Sequence, residues 1–305
     1  MLCGAPEGHG HLSRYPSVAR LKGISGGGST LILRWLGAAG VELTCDGRVL
    51  VLDPFVSRFP LWRLIAGRVR TDERLCAQMV PACHHILISH AHFDHLLDAP
   101  AIAGRTGAVC LGSPNACKLL LAHGVLPAQV QPMAVGARLP LGPFAVEVLP
   151  GDHGRILGFP TPAGPLRTDL RPPLRALDYR MDACFGFLIE AGGVRVLAWG
   201  SERSGPAPQA DVLLLGGHRP RAILAPLLAQ VRPRLIIPLH WDDLFRPLSR
   251  GVRPMFAPPA LRWPPLRRMD PKEMARVVAQ VAPRVQVLVP QVRQMYALGE
   301  WLDGA

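Results

Sequence analysis

The sequence predicts an α/β protein, with strands in layers and helices packed over them, and three observations carry that prediction. Short apolar runs bounded by Gly, Pro, Asn or Asp recur along most of the chain, as strands buried in a sheet do. In the middle of the chain they alternate with helical stretches, in the strand–helix–strand–helix order of a layered α/β architecture. Several of the runs also open directly into loops that begin with metal-ligating residue types.

Residues 30–36 read as a first strand, followed by a tight turn at 37–40. Residues 41–45 and 48–52 alternate around Asp46-Gly47, a strong hairpin signal. The hairpin ends at Asp53-Pro54, where an acidic residue and a strand breaker leave the sheet together. Residues 55–74 read as an irregular connection carrying Arg58, Arg63, Arg68, Arg70 and Arg74, either a cover over a site or an ordinary surface loop. The run 86–88 is the next strand, and helices are expected over 96–102 and 113–123 with a strand at 108–111 between them. Ser113-Pro114 supplies an N-cap and a first-turn proline to the second helix. Further strands are expected at 130–135, 144–149, 184–190, 194–199, 211–215, 235–239 and 285–289, and helices at 220–231 and 271–281. Residues 155–182 are rich in Pro and Arg and show little periodicity.

Composition narrows the function classes. With 305 residues, 49% hydrophobic and 18% charged, the chain is globular and long enough for an ample core. It has no apolar run long enough to span a membrane. Residues 1–29 are expected to form a flexible Gly/Ser-rich lead-in to a single domain over 30–305. That lead-in lacks the basic start and apolar stretch of a signal peptide. Seven scattered cysteines, with no C-x-x-C pair, then fit reduced thiols and a cytoplasmic location. The net charge of +12 raises nucleic acid or an anionic ligand as partners. The arginines stand singly beside Pro, Leu and Ala, however, which is the pattern of a solvated surface rather than of a nucleic-acid groove.

The chemistry concentrates at His90-Ala91-His92-Phe93-Asp94-His95, directly after the apolar strand 86–88. Imidazole and carboxylate are ligands for zinc and related divalent ions, and three histidines with an aspartate in six residues call for such an explanation. The same strand-then-ligand pattern recurs at His153, at Ser201/Glu202 and at His240. His9, His11, His84, His123 and His218 stand outside this pattern and read as ordinary surface or core histidines.

His90-x-His92-x-Asp94-His95 resembles the signature of the metallo-β-lactamase-fold hydrolases. The resemblance runs from about residue 30 to residue 245, through Trp35-Leu36-Gly37-Ala38-Ala39-Gly40, Asp53-Pro54, Gly151-Asp152-His153-Gly154 and Pro238-Leu239-His240-Trp241-Asp242. In look it is nearest to the branch of L-ascorbate-6-phosphate lactonase and N-acylphosphatidylethanolamine phospholipase D. It implies an αββα sandwich of two mixed sheets flanked by helices, with His90, His92 and His153 holding one metal ion and Asp94, His95 and His240 another. Zinc is the implied cofactor, as one or two ions, with manganese or iron as alternatives. The implied activity is hydrolysis of an ester, lactone or phosphoester of a small molecule by metal-activated hydroxide, with Asp94 as the catalytic carboxylate. The chain departs from the family where an aspartate usually bridges the two metals, because Ser201 stands there, followed by Glu202. That departure keeps a single-metal enzyme and a non-catalytic metal-binding protein open, and the charge keeps open a nuclease or phosphodiesterase of the same fold. Arg155, Arg175 and Arg180 after His153, and Trp241 after the last ligand, are the residues expected near an anionic substrate. Oligomeric state is not legible.

Overall fold

The computed structural model describes residues 29–153, 161–199, 206–216, 220–256 and 268–303. Two seven-stranded sheets face one another. The first holds β1 (Ile32–Gly37), β2 (Gly40–Cys45), β3 (Arg48–Leu52), β4 (His85–Leu87), β5 (Val109–Gly112), β6 (Val130–Pro132) and β14 (Met295–Ala297), in the order β14-β1-β2-β3-β4-β5-β6. The second holds β7 (Arg138–Leu141), β8 (Phe144–Pro150), β9 (Phe185–Ala191), β10 (Val194–Trp199), β11 (Val212–Gly216), β12 (Leu235–Leu239) and β13 (Gln286–Val287), in the order β13-β12-β11-β10-β9-β8-β7. Both sheets are mixed. In the first, the ladders from β14 to β3 are antiparallel and those from β3 to β6 parallel. In the second, those from β7 to β10 are antiparallel and those from β10 to β13 parallel.

The apolar strands are buried on both faces, which explains their unbroken hydrophobic runs. Leu50 and Leu52 of β3, Leu87 of β4 and Val212 and Leu214 of β11 point into the core between the sheets. Their neighbours Val49, Val51 and Ile86, with Ile88 after β4, face the helices α2 (Glu73–Met79), α4 (Ala99–Thr106) and α5 (Pro114–Ala122). Across the molecule, Leu213 and Leu215 face α6 (Arg221–Val231) and α7 (Pro271–Val281). The result is the helix–sheet–sheet–helix layering that the resemblance implied.

The hairpin at Asp46-Gly47 forms as expected, both turn residues having positive φ. Ser113 caps α5 through the Ala116 amide. The expected helix over 96–102 is in fact two, α3 (Phe93–Leu96) and α4, because Pro100 restarts the chain at Asp98. Expectation missed α1 (Trp62–Ala66), α2, β7, β14 and α8 (Leu298–Asp303), all of them short. The connection 55–74 is no loose cover at its start. Phe55, Val56 and Phe59 are buried, and Asp98 accepts hydrogen bonds from the Val56 and Ser57 amides at 2.6 and 2.8 Å. Arg58, read as a surface arginine, has a side chain only 1% exposed and pairs with Asp242 at 2.9 Å.

β3, β4 and β5 run parallel, so their C-terminal ends share one edge of their sheet, and β8, β10 and β12 likewise end together in theirs. Loops leaving that edge carry His90–His95, His153 and His240.

Candidate metal centre

Six side chains from both sheets converge at this edge in two groups. His90, His92 and His153 form one; Asp94, His95 and His240 form the other. Each residue offers one ring nitrogen or carboxylate oxygen, and within each group these atoms lie within 4.8 Å of one another. The rings of the first group stand mutually edge to face, each centroid 4.7 Å from the other two. Three imidazoles so arranged converge on a common point, as the ligands of one ion do.

Hydrogen bonds decide which nitrogen each ring presents. Ser89 Oγ donates its single proton to Asp53 at 2.6 Å. It therefore accepts from His90 Nδ1–H, 3.0 Å away, which leaves the lone pair of His90 on Nε2. That Nε2 is buried and has no hydrogen-bond partner among the described residues. An unpartnered buried nitrogen is costly, and a cation at the centre of the group would satisfy it. His92 is fixed the opposite way. Its Nε2 lies 2.9 Å from the carbonyl oxygen of Pro162, which can only accept, so the lone pair sits on Nδ1. His95 donates Nδ1–H to Asp53 at 2.9 Å and turns Nε2 towards Asp94, 3.6 Å away, while His240 Nε2 lies 3.1 Å from the same carboxylate. Ligands whose second nitrogen is held by a carboxylate or carbonyl are the usual arrangement around protein-bound ions.

The electrostatics agree. Burial pushes the His90 imidazole well below its ordinary pKa, helped by the charge of His95, and burial takes His92 down to about 4. Both are neutral near pH 7, the form that binds metal. Burial alone would raise the Asp94 carboxyl, but His95 and the hydrogen bond from His240 overcome it and hold it well below the carboxylate range. Burial would likewise lower His95, yet Asp53 and then Asp94 outweigh it and raise that ring.

Asp53 is the residue that sequence reasoning noticed without assigning. It sits where β3 ends and accepts from the Ser89 amide at 2.7 Å, from Ser89 Oγ and from His95. The signal was available, because Asp53 follows an apolar strand just as His240 does. Asp53 and His240 both have positive φ, +44° and +55°, a conformation that L-residues rarely adopt. Behind His240, Asp242 accepts from the Ala38 amide and from Arg58, and the His240 amide donates to the Ala38 carbonyl, so the loop is tied to the turn after β1.

The expected substrate residues fare differently. Trp241 is 7% exposed and stacks on Trp35 in the core, 5.2 Å between ring centroids, so it offers little surface to a ligand. Arg180 donates from Nε and Nη2 to the Ala163 carbonyl of its own loop, and Arg175 is exposed. Arg155, Ser201 and Glu202 lie outside the described residues, as do His9, His11 and His218. No helix among the described residues is long and apolar enough to cross a membrane.

Known proteins share both sequence and fold with this chain. The metallo-beta-lactamase superfamily profile matches residues 70–171, the stretch that includes four of the six converging side chains and His153 as a fifth. A protein described as a UPF0173 metal-dependent hydrolase from Carboxydothermus hydrogenoformans is 28% identical over 221 residues, covering 69% of this chain and 84% of its own. Igni18, described as a metallo hydrolase from Ignicoccus hospitalis, superposes with a TM-score of 0.55 at 19% identity, covering 88% of this chain and 97% of its own. CmlA, described as a diiron β-hydroxylase from Streptomyces venezuelae, superposes at 0.54 and 18% identity, covering 88% of this chain and 54% of its own. The two mixed sheets with a ligand-bearing edge are thus the metallo-beta-lactamase fold of these solved structures, and residues 70–171 match that superfamily's model.

Proposed function

We propose that the protein is a metal-dependent hydrolase acting on an ester, lactone or phosphoester of a small molecule, from one domain over residues 30–305. The observation that carries this reading is the pair of ligand groups, each within 4.8 Å internally, the first of them holding the orphaned Nε2 of His90. His90 through Nε2, His92 through Nδ1 and His153 would hold one ion, and Asp94, His95 and His240 a second. The all-imidazole and imidazole–carboxylate donor sets suit zinc, and manganese or iron fit as well. CmlA, which shares the fold over 54% of its length, is described as a diiron enzyme, so metal identity belongs in the test. A bound divalent ion supplies Lewis acidity, lowering the pKa of water from about 15.7 to about 7 and polarising the scissile group. Asp94, ionised and beside His95 and His240, would orient the attacking water and hold its proton. The names of the relatives support hydrolysis, while the ester, lactone or phosphoester class rests on the likeness of the ligand motif alone.

Elemental analysis of purified protein, followed by a panel of lactone, carboxyl ester and phosphodiester substrates, tests the reading. The expected result is one to two ions per chain and turnover of one class, with His92→Ala losing the ion of its own group and at least a hundredfold in activity. Protein that takes up no divalent ion, or His92→Ala with unchanged metal and turnover, would overturn it.

A further inference from the structure

Residues 161–182, the stretch with least periodicity, form a strap across α5, pinned at both ends of that helix. At the N-terminal end Asp182 accepts from Ser113 Oγ at 2.5 Å and from the Asn115 amide at 2.9 Å. At the C-terminal end Tyr179 Oη and His123 Nε2 share a hydrogen bond at 2.9 Å. The strap folds back on itself next to α5. The Met181 amide donates to the Pro162 carbonyl at 3.0 Å and the Gly164 amide to the Met181 carbonyl at 2.9 Å, a bridge between Ala163 and Met181. The Asn115 side-chain amide reaches over both limbs of this fold, donating to Gly164 O at 3.0 Å and Arg180 O at 2.9 Å. Asn115 is 4% exposed, so these donors have no water to turn to.

The fold that Asn115 clamps presents the Pro162 carbonyl to His92 Nε2. That carbonyl fixes the His92 proton, and it comes from main chain that the strap's shape holds in place. We propose that Asn115 is a positioning residue: by clamping both limbs of the strap it keeps the Pro162 carbonyl on His92 Nε2 and so dictates that His92 turns Nδ1 towards His90 and His153. The effect on metal rests on the reading of His92 as a ligand; the effect on the tautomer does not. Asn115 acts from α5, outside the loops that carry the six converging side chains.

The experiment uses the full chain with Asn115→Asp, which keeps the shape but aims an acceptor at two carbonyls, and Asp182→Asn as a second variant that loosens the same end of the strap. Tyr179→Phe, which cuts the other pin, serves as the control for general loosening. Long-range proton–nitrogen NMR on metal-free protein reads the His92 tautomer. Zinc competition against a chromophoric chelator reads each site. Wild type and Tyr179→Phe are expected to show His92 protonated at Nε2, and Asn115→Asp and Asp182→Asn to show a mixed population. Zinc affinity at the His90/His92/His153 group should fall about ten- to a hundredfold in those two variants, as for loss of other groups that orient a ligand, with the second group unchanged. An unaltered His92 signal in whichever of the two variants folds would overturn the inference. Wild type that takes up no divalent ion would overturn the proposed function instead, leaving the tautomer measurement to decide the role of Asn115.

Discussion

A single carboxylate, Asp53, organises more of the centre than any residue in the signature motif except Asp94. It holds the Ser89 hydroxyl, which orders His90, and it holds His95 directly. Asp53→Asn keeps the shape but removes the charge that draws the His95 proton to Nδ1. Metal affinity at the Asp94/His95/His240 group should then fall about ten- to a hundredfold, read by chelator competition; an unchanged value would show that His95 needs no such partner. At this scale legibility divides sharply. His90, His92, Asp94 and His95 were readable because they crowd into six residues, and His153 and His240 because each follows a strand. The Pro162 carbonyl was not readable, since every residue type carries one and only tertiary structure selects it. Asn115 was hidden for a related reason, an amide on a helix being ordinary until its partners, dozens of residues away, are known.

Among the elements, α5 shows how packing and polarity combine. Its Leu119 and Leu120 are buried against the first sheet, and both ends grip the strap. At the C-terminal end His123 caps the helix and is hydrogen-bonded to Tyr179, and burial takes its imidazole down to about 4. The folded state therefore prefers the neutral ring, whereas the unfolded chain takes up a proton near pH 6.5. The contribution of His123 is complete above about pH 6.5 and is lost as pH falls towards 4. Between pH 7 and 5 it should cost up to about 2 kcal/mol. Urea denaturation at the two pH values, compared with His123→Gln, checks this; equal pH dependence in both proteins would refute it. The elements legible in the sequence were those with strong local signals, such as the Asp46-Gly47 hairpin, the Ser113 cap and the apolar strands. The edge strands β7 and β14 escaped notice because they are short and half-exposed, and Pro140 interrupts β7. They exist because a neighbouring strand offers them a ladder.

For the molecule as a whole, the architecture was legible because strands buried on both faces leave unbroken apolar runs, while the pairing order was not, since ladders are chosen by contacts between distant segments. The two ligand groups both straddle the sheets: His153 and His240 follow strands of the second, and the other four residues follow β4 of the first. Ions held there would join two sheets that share no hydrogen-bonded ladder among the described residues. Free metal at a hundred times its dissociation constant stabilises a folded state by about 2.7 kcal/mol, which for a chain of this length is about 4 °C in Tm. Chelation should lower Tm by that amount in scanning calorimetry, and readdition should restore it. A Tm indifferent to chelation in protein shown to bind metal would mean that the groups do not link the sheets. The positive φ of Asp53 and His240 has a consequence for how such a chain changes under selection. A left-handed backbone costs an L-residue about 1–2 kcal/mol, and glycine would escape that cost at either position. Variants chosen only for resisting heat would therefore drift towards losing both side chains, and a library screened for stability would erase the centre while improving the scaffold around it.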